Sequence, residues 1–182
     1  MKRHEPSIER LETARLVLTR PTAADAQAIF ERYASDPAVT RYLGWPTHRS
    51  VEDTRVFVGF SDAEWDRAPA GPYLIRSKED GRLLGGTGLS FDAVGGAATG
   101  YVIARDAWGR GYATEALRAM IDLARSLGLR ALGALCHPDH ALSIRVLEKC
   151  GFTLESVMPA FAEFPNLAPG VKADVARYEL KL

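Results

Sequence analysis

Apolar positions along this chain change their spacing several times, and each change marks an element. From Ala14 to Thr19 they alternate, with Leu16 and Leu18 on one side and Arg15, Val17 and Thr19 on the other, which predicts a strand. Pro21 and Thr22 open a helical stretch, Ala24 to Tyr33, with Thr22 or Asp25 placed to cap it and Asp36-Pro37 to stop it. A second helix runs from about Ser50 through Val51, Phe57, Val58 and Trp65 to the turn cluster Pro69-Ala70-Gly71-Pro72. Three strands follow, Tyr73 to Ser77, Arg82 to Phe91 and Ala97 to Ala104. Their links, Glu79-Asp80-Gly81 and Asp92 to Gly96, are short and carry glycine, so they predict an antiparallel meander.

The second half alternates helix and strand. Ala113, Leu117, Met120, Ile121, Ala124 and Leu127 recur at helical spacing, and Gly128 stands where such a helix should end. Leu129 to Cys136 is a short, nearly all-apolar run that suits a buried strand. The intervening helix predicts that it lies parallel to the strand before it, through a right-handed crossover. Pro138 and Asp139 open a further helix that closes at Gly151. Strands from Phe152 to about Ala162 and from Ala173 to Leu182 finish the chain across the loop Phe164 to Gly170. The order β-α-α-β-β-β-α-β-α-β-β, without repeats, low-complexity tracts or linkers, predicts a single mixed α/β domain over residues 1–182.

Composition narrows the possibilities. A chain of 182 residues that is 47% hydrophobic can fill one core. Its 23 basic and 23 acidic side chains cancel, so neither nucleic acid nor a membrane is expected as a partner. Cys136 and Cys150 have neither zinc spacing nor a disulfide framework, which predicts free thiols and no metal centre. The first ten residues are polar, and no apolar run reaches the roughly 18 residues of a membrane span. A soluble cytoplasmic protein is expected.

The stretch richest in chemistry is Arg105-Asp106-Ala107-Trp108-Gly109-Arg110-Gly111-Tyr112-Ala113-Thr114-Glu115-Ala116. Two glycines flank an arginine at a strand-to-helix turn, which leaves backbone N–H groups uncovered at a helix N-terminus. Those amides lack partners and the helix dipole favours negative charge, so phosphate oxygens fit there. The spacing matches neither the dinucleotide fingerprint nor the Gly-Lys-Ser/Thr phosphate loop. A pyrophosphate-bearing ligand is one reading, and a glycine connection that merely turns the chain is the other.

Four segments together resemble the GNAT acetyltransferase superfamily, in its RimJ/RimL-like branch. They are Glu12-Thr13-Ala14-Arg15-Leu16-Val17-Leu18; Gly100-Tyr101-Val102-Ile103 leading into Trp108 to Ala116; Ser143-Ile144-Arg145-Val146-Leu147-Glu148-Lys149-Cys150-Gly151-Phe152; and Asp174-Val175 through Tyr178. The resemblance implies a mostly antiparallel sheet flanked by helices, with a splayed parallel strand pair that binds acetyl-CoA. The pantetheine arm would lie beside Ile103 and Ala104, and the pyrophosphate on the amides of Gly109, Arg110, Gly111, Tyr112, Ala113 and Thr114. Arg110 could add charge near the phosphates, or stand solvated. Related proteins are often dimers, so a homodimer joins acetyl-CoA and an amine acceptor among the implied partners.

The same resemblance assigns roles on the last helix, where His140, Ser143 and Leu147 share one face. His140 stands where the family usually has an Asn that contacts the CoA arm. Leu147 replaces the tyrosine that often protonates the departing thiolate, which leaves Ser143 as general acid or as an ordinary helix hydroxyl bonded to backbone. Relatives commonly carry a Glu two residues before the Gly-Tyr pair, and here that residue is Ala98. His137 is then a candidate base, with His140 beside it and Asp139 and Glu163 further off. His137 reads equally as a strand-end residue bonded to backbone, and Glu115 as a residue matched to the helix dipole.

Without a carboxylate base, weakly basic α-amines are favoured over lysine-type amines. Acceptor recognition should come from Tyr42-Leu43-Gly44-Trp45-Pro46 and from Phe161 and Phe164-Pro165-Asn166. The expected activity is acetyl-CoA-dependent N-acetylation of a protein N-terminus or small amine by direct transfer. The rival is a catalytically silent acyl-CoA-binding module of the same fold.

Overall fold

A computed structural model describes residues 8–182. In chain order its strands are β1 (Arg10–Glu12), β2 (Leu16–Thr19), β3 (Pro72–Ser77), β4 (Leu83–Phe91), β5 (Ala97–Ile103), β6 (Ala131–Cys136), β7 (Thr153–Glu163) and β8 (Lys172–Lys181). They form one sheet in the order β1-β2-β3-β4-β5-β6-β8-β7. Every neighbouring pair is antiparallel except β5 and β6, which run parallel and are joined through a crossover helix. The meander and the crossover stand as the residue pattern predicts.

The helices are α1 (Ala26–Ile29), α2 (Pro37–Thr40), α3 (Val51–Arg67), α4 (Tyr112–Ser126) and α5 (Ala141–Lys149). The stretch expected as one helix from Ala24 to Tyr33 changes its winding twice. A 3₁₀ turn (Ala23–Asp25) leads into α1, and a π turn (Phe30–Ala34) ends it. Asp25 accepts from the Thr22 amide at 2.8 Å, and Ser35 Oγ donates to the Phe30 carbonyl at 2.7 Å, so both ends are held by side chains. Asp36-Pro37 both stops that helix and starts α2: the Asp36 carboxylate accepts from the Ala38 amide at 2.9 Å, and proline occupies the first turn. The last helix begins at Ala141 rather than at Pro138-Asp139, which form a turn closed by the His140 amide on the His137 carbonyl.

Strand alternation splits the core between the two sheet faces. Tyr73, Ile75 and Ile103 pack with Leu117 and Met120 of α4 and Leu147 of α5. Leu74 and Val102 turn the other way, against Ile29 of α1, Tyr33 and Val58 of α3. The β6 strand departs from its expected burial. Leu132, Ala134 and Cys136 are buried, but Leu135 is 52% exposed, because the second face is covered only over the sheet's other half. Burial pushes the Cys136 thiol up to about 11, so it stays protonated and unreactive at neutral pH. Among the described residues no helix is long and apolar enough to cross a membrane.

One register feature positions everything that follows. β5 and β6 pair at a single position, Ala98 with Gly133, whereas β6 is zipped to β8 from Ala131–Lys181 through Cys136–Ala176. Beyond Ala98 the two parallel strands diverge, and a gap opens at the middle of the sheet.

Candidate active site

The gap widens into a cleft of about 690 Å³ between β5, the N-terminus of α4 and the exposed face of α5. The turn into α4 places Gly109 at φ +72° and Gly111 at φ +78°, a left-handed backbone that only glycine adopts without cost. Because Gly111 caps α4 with no side chain, the amides of Gly109 through Thr114 find no protein acceptor among the described residues. These are six successive donors at the positive end of a fifteen-residue helix, and five of the residues that carry them, all but Arg110, line the cleft.

The loop is held from behind by the start of β2. Glu115 accepts from the Thr13 hydroxyl at 2.6 Å, the Arg15 amide at 2.8 Å and Arg15 Nε at 2.7 Å. Arg15 Nη1 donates to the Arg110 carbonyl at 2.9 Å, and its guanidinium lies 4.7 Å above the Tyr112 ring. Burial opposes the Glu115 charge, but these donors outweigh it and hold the carboxyl below its ordinary range. A depressed carboxyl stabilises the fold above the unfolded value near ~4.3, and that stability is lost as pH falls through the folded value. Glu115→Gln is expected to cost about 1–3 kcal/mol in urea unfolding at pH 7, and less below pH ~4. An equal cost at both pH values would show that the charge contributes nothing.

On the β5 side, the Ala104 amide donates to the Leu84 carbonyl at 2.8 Å. Antiparallel ladders alternate, so the backbone groups of Tyr101 and Ile103 are directed into the gap. The Ile103 carbonyl is already taken by the Trp108 indole N–H at 2.7 Å, which leaves its amide free. Across the gap the Tyr101 hydroxyl donates to the Ser143 carbonyl at 2.9 Å and lies 3.0 Å from Ser143 Oγ. Tyr101 spends its one proton on the carbonyl, so in this pair the Ser143 hydroxyl is the donor. Burial pushes the Tyr101 phenol well up, and it stays protonated.

Ile103, Gly109, Gly111, Tyr112, Ala113, Thr114, His140 and Ser143 all line the cleft. Ala104 does not; it is buried against β4. Arg110 presents backbone to the loop, and its side chain is not part of the lining. His137 is also outside the cleft. Its Nδ1 accepts the Asp139 amide at 3.1 Å, and its ring is wedged between Tyr42 (5.2 Å) and Phe164 (4.8 Å). With Nδ1 accepting, the neutral ring carries its proton on Nε2 and has no lone pair left for an amine. His140 stacks on Tyr42 at 4.6 Å, and burial, followed by the nearby His137, lowers its pKa. Asp139 stands on the cleft wall, Leu147 is buried in the core, and Glu163 is exposed at the end of β7 away from the lining.

Four residues of this site carry no role in the sequence reading. Arg41, Arg145 and Lys149 line the cleft, and none is in an ion pair among the described residues. The last two lie at i and i+4 on α5, a spacing that already put them on one face. Tyr101, although within a quoted motif, gains its role only from the contact across the gap.

A second cavity of about 240 Å³ adjoins the cleft, sharing Leu43, Tyr101 and Val102 with it. Trp45, His48 and Phe57 close it from the helical side. His48 Nδ1 bonds the buried Thr54 hydroxyl at 2.8 Å, and burial lowers the His48 pKa. The two segments expected to recognise the acceptor meet here. Asn166 accepts from the Thr47 amide at 2.8 Å and donates to the carbonyls of Thr40 (2.8 Å) and Trp45 (2.9 Å). Asn166→Ala should cost about 1–3 kcal/mol of stability, because three partners lose one part-buried amide. A urea midpoint equal to that of the parent protein would show the strap to be idle.

Residues 15–153 match the family model described as Acetyltransferase (GNAT) domain. Over 153 residues the chain is 33% identical to the uncharacterized N-acetyltransferase YoaA of Bacillus subtilis, covering 81% of this chain and 85% of that protein. It is 29% identical over 176 residues to the uncharacterized N-acetyltransferase p20 of Bacillus licheniformis, covering 95% and 96%. Among solved structures, RimL, the ribosomal L7/L12 alpha-N-protein acetyltransferase in complex with coenzyme A, superposes with a TM-score of 0.83 at 23% identity, over 96% of this chain and 98% of that one.

Proposed function

The chain belongs to the GNAT acetyltransferase family, and we propose that it takes its acetyl group from acetyl-CoA and passes it directly to a primary amine while both are bound. The observation that carries this reading is the run of six unpartnered amides beside a gap between parallel strands. A pyrophosphate satisfies those donors, with Gly109, Arg110, Gly111, Tyr112, Ala113 and Thr114 contributing backbone only. Arg41, Arg145 and Lys149 supply charge for further phosphate oxygens along the cleft. The amide of Ile103 and the backbone of Tyr101 offer a pantetheine arm the hydrogen bonds of a missing strand, and His140 borders its path.

The thioester then reaches the Tyr101–Ser143 contact. The amine lone pair attacks the thioester carbonyl, the C–N bond forms, and the C–S bond breaks with its electrons on sulfur. The attacking nitrogen gives one proton to solvent water, and the sulfur gains one from the Ser143 hydroxyl as it turns from Tyr101 and recovers a proton from solvent, so Ser143 ends neutral. Tyr101 aims that hydroxyl by anchoring the first turn of α5, while His137 shapes the wall behind His140. Ala98 puts no carboxylate beside the gap, and among the described residues the one carboxylate lining the cleft, Asp139, is exposed, so an amine that is partly neutral at pH 7, such as an α-amine, is the acceptor best served. The test is calorimetric binding of acetyl-CoA combined with CoA release across a panel of amines and peptides. Binding with turnover is expected; no binding refutes the reading, and binding without turnover on any amine would make this an acyl-CoA-binding module.

A further inference from the structure

The second cavity differs in kind from the cleft it adjoins. Among the described residues no Asp, Glu, Lys or Arg lines it, whereas the cleft wall carries Arg41, Arg145, Lys149 and Asp139. Its walls are aromatic and apolar: Ile29, Tyr33, Trp45, His48 and Phe57. Tyr33 is only 2% exposed; its hydroxyl has no protein hydrogen-bond partner among the described residues but stays open to the cavity, Ser61 Oγ being the one fully buried side-chain polar atom left unpaired among them. That hydroxyl lies over Gly86 at the cavity wall, 3.3 Å from where a Cβ would stand. Water satisfies such a hydroxyl in the empty cavity, and a group that displaces the water must bring a polar atom of its own to pair it.

The two titratable rings agree with this. Burial raises Tyr33 and lowers His48, so both are neutral at pH 7 and the cavity holds no counter-ion for a second ammonium. A water's share of liquid volume is about 30 Å³, so 240 Å³ has room for roughly eight such units, the scale of one ring with a short stem. Because the cavity and the cleft share Tyr101 and Val102, a group seated in it places an attached amine at the gap.

We infer that the second cavity seats the acceptor, and that the acceptor is a primary amine borne on one compact, uncharged aromatic group whose own hydroxyl pairs with that of Tyr33. This rests on the acetyl-transfer reading above and narrows its substrate class. Polyamines are disfavoured because burying their second cation unpaired is expensive. A hydroxyphenylalkylamine and a peptide beginning with tyrosine present the same chemistry.

The experiment compares 2-(4-hydroxyphenyl)ethylamine, a Tyr-initial tripeptide, spermidine and a Ser-initial hydrophilic tripeptide by CoA release, with acetyl-CoA binding measured separately. The aromatic acceptors should exceed spermidine and the Ser-initial tripeptide at least about tenfold in kcat/KM, and the ratio between the two aromatics identifies the source. Phe57→Ala should raise the aromatic acceptor's KM about tenfold and leave that for acetyl-CoA unchanged. Tyr33→Phe keeps the shape, removes the hydroxyl, and should raise the same KM alone. Spermidine or the hydrophilic peptide as best acceptor, or an aromatic KM indifferent to both variants, overturns the inference with the acetyl-transfer reading intact. Failure to bind acetyl-CoA overturns both.

Discussion

Gly111→Glu should leave a folded protein with acetyl-CoA affinity reduced more than about 100-fold, a loss of some 2.7 kcal/mol or more in binding. Two effects combine at this position. The residue sits at φ +78°, where a side chain costs on the order of 1–3 kcal/mol. The new carboxylate would also stand among the free amides of the α4 turn, competing with phosphate for the same donors. A Cβ on Gly111 comes within 3.5 Å of Arg15 Nη2, so the glutamate could also draw Arg15 away from Glu115 and Arg110. Gly95→Glu separates the two effects. It has a similar φ of +84° in the β4–β5 turn, open space around its Cβ and no part in the cleft. Calorimetry should find acetyl-CoA affinity unchanged in Gly95→Glu and lost in Gly111→Glu, with similar urea midpoints. Undiminished binding in Gly111→Glu would place the phosphates elsewhere.

The turn that this experiment probes was readable from sequence because it depends on local backbone geometry. Glycine at two positions around Arg110, followed by apolar residues at helical spacing, fixes an open helix start without reference to the rest of the chain. The meander was readable for the same reason, since Gly81 and Gly95 close its two turns at positive φ. Elements whose form depends on side chains bonding back to the main chain were harder. Asp36 and Ser35 each redirect the backbone, giving a π turn and an extra helix where periodicity alone reads one helix and a stop.

The splay could be expected only from family resemblance, because it results from competition between two long-range partners for β6. Six positions pair with β8 and one with β5, and no local pattern encodes that balance. The Arg15–Glu115 contact, 100 residues apart in sequence, is hidden in the same way, although both residues lie in motifs that carry the resemblance. His137 shows the reverse case. An imidazole at a strand end beside the last helix suits a base, but its acceptor nitrogen is spent on the Asp139 amide. Tyr101 went unassigned because its partner lies 42 residues away on α5. The residues lining the second cavity come from α1, the following π turn, the Trp45 loop and α3, and only the folded chain brings them together.

Ser143→Ala should lower kcat about 100-fold at pH 7 while the KM values for acetyl-CoA and amine stay within about twofold. General acids contribute some 10²–10⁴, and the lower end applies here because a thiol of pKa near ~8.5 is already a fair leaving group. The same argument sets a pH dependence. Above pH ~8.5 sulfur departs as thiolate without needing a proton, so the gap between the parent enzyme and Ser143→Ala should close as pH rises from 7 to 9.5. Tyr101→Phe tests the second half of the arrangement. It removes the bond to the Ser143 carbonyl and the acceptor for the Ser143 hydroxyl, so the hydroxyl stays present but is no longer held in place. Its kcat should fall less than that of Ser143→Ala, about tenfold, and the double variant should be no slower than Ser143→Ala alone, since both changes act through one proton. Independent, multiplying losses would mean that Tyr101 contributes by another route, and a Ser143→Ala deficit constant across pH would show that the hydroxyl binds or orients rather than donating a proton.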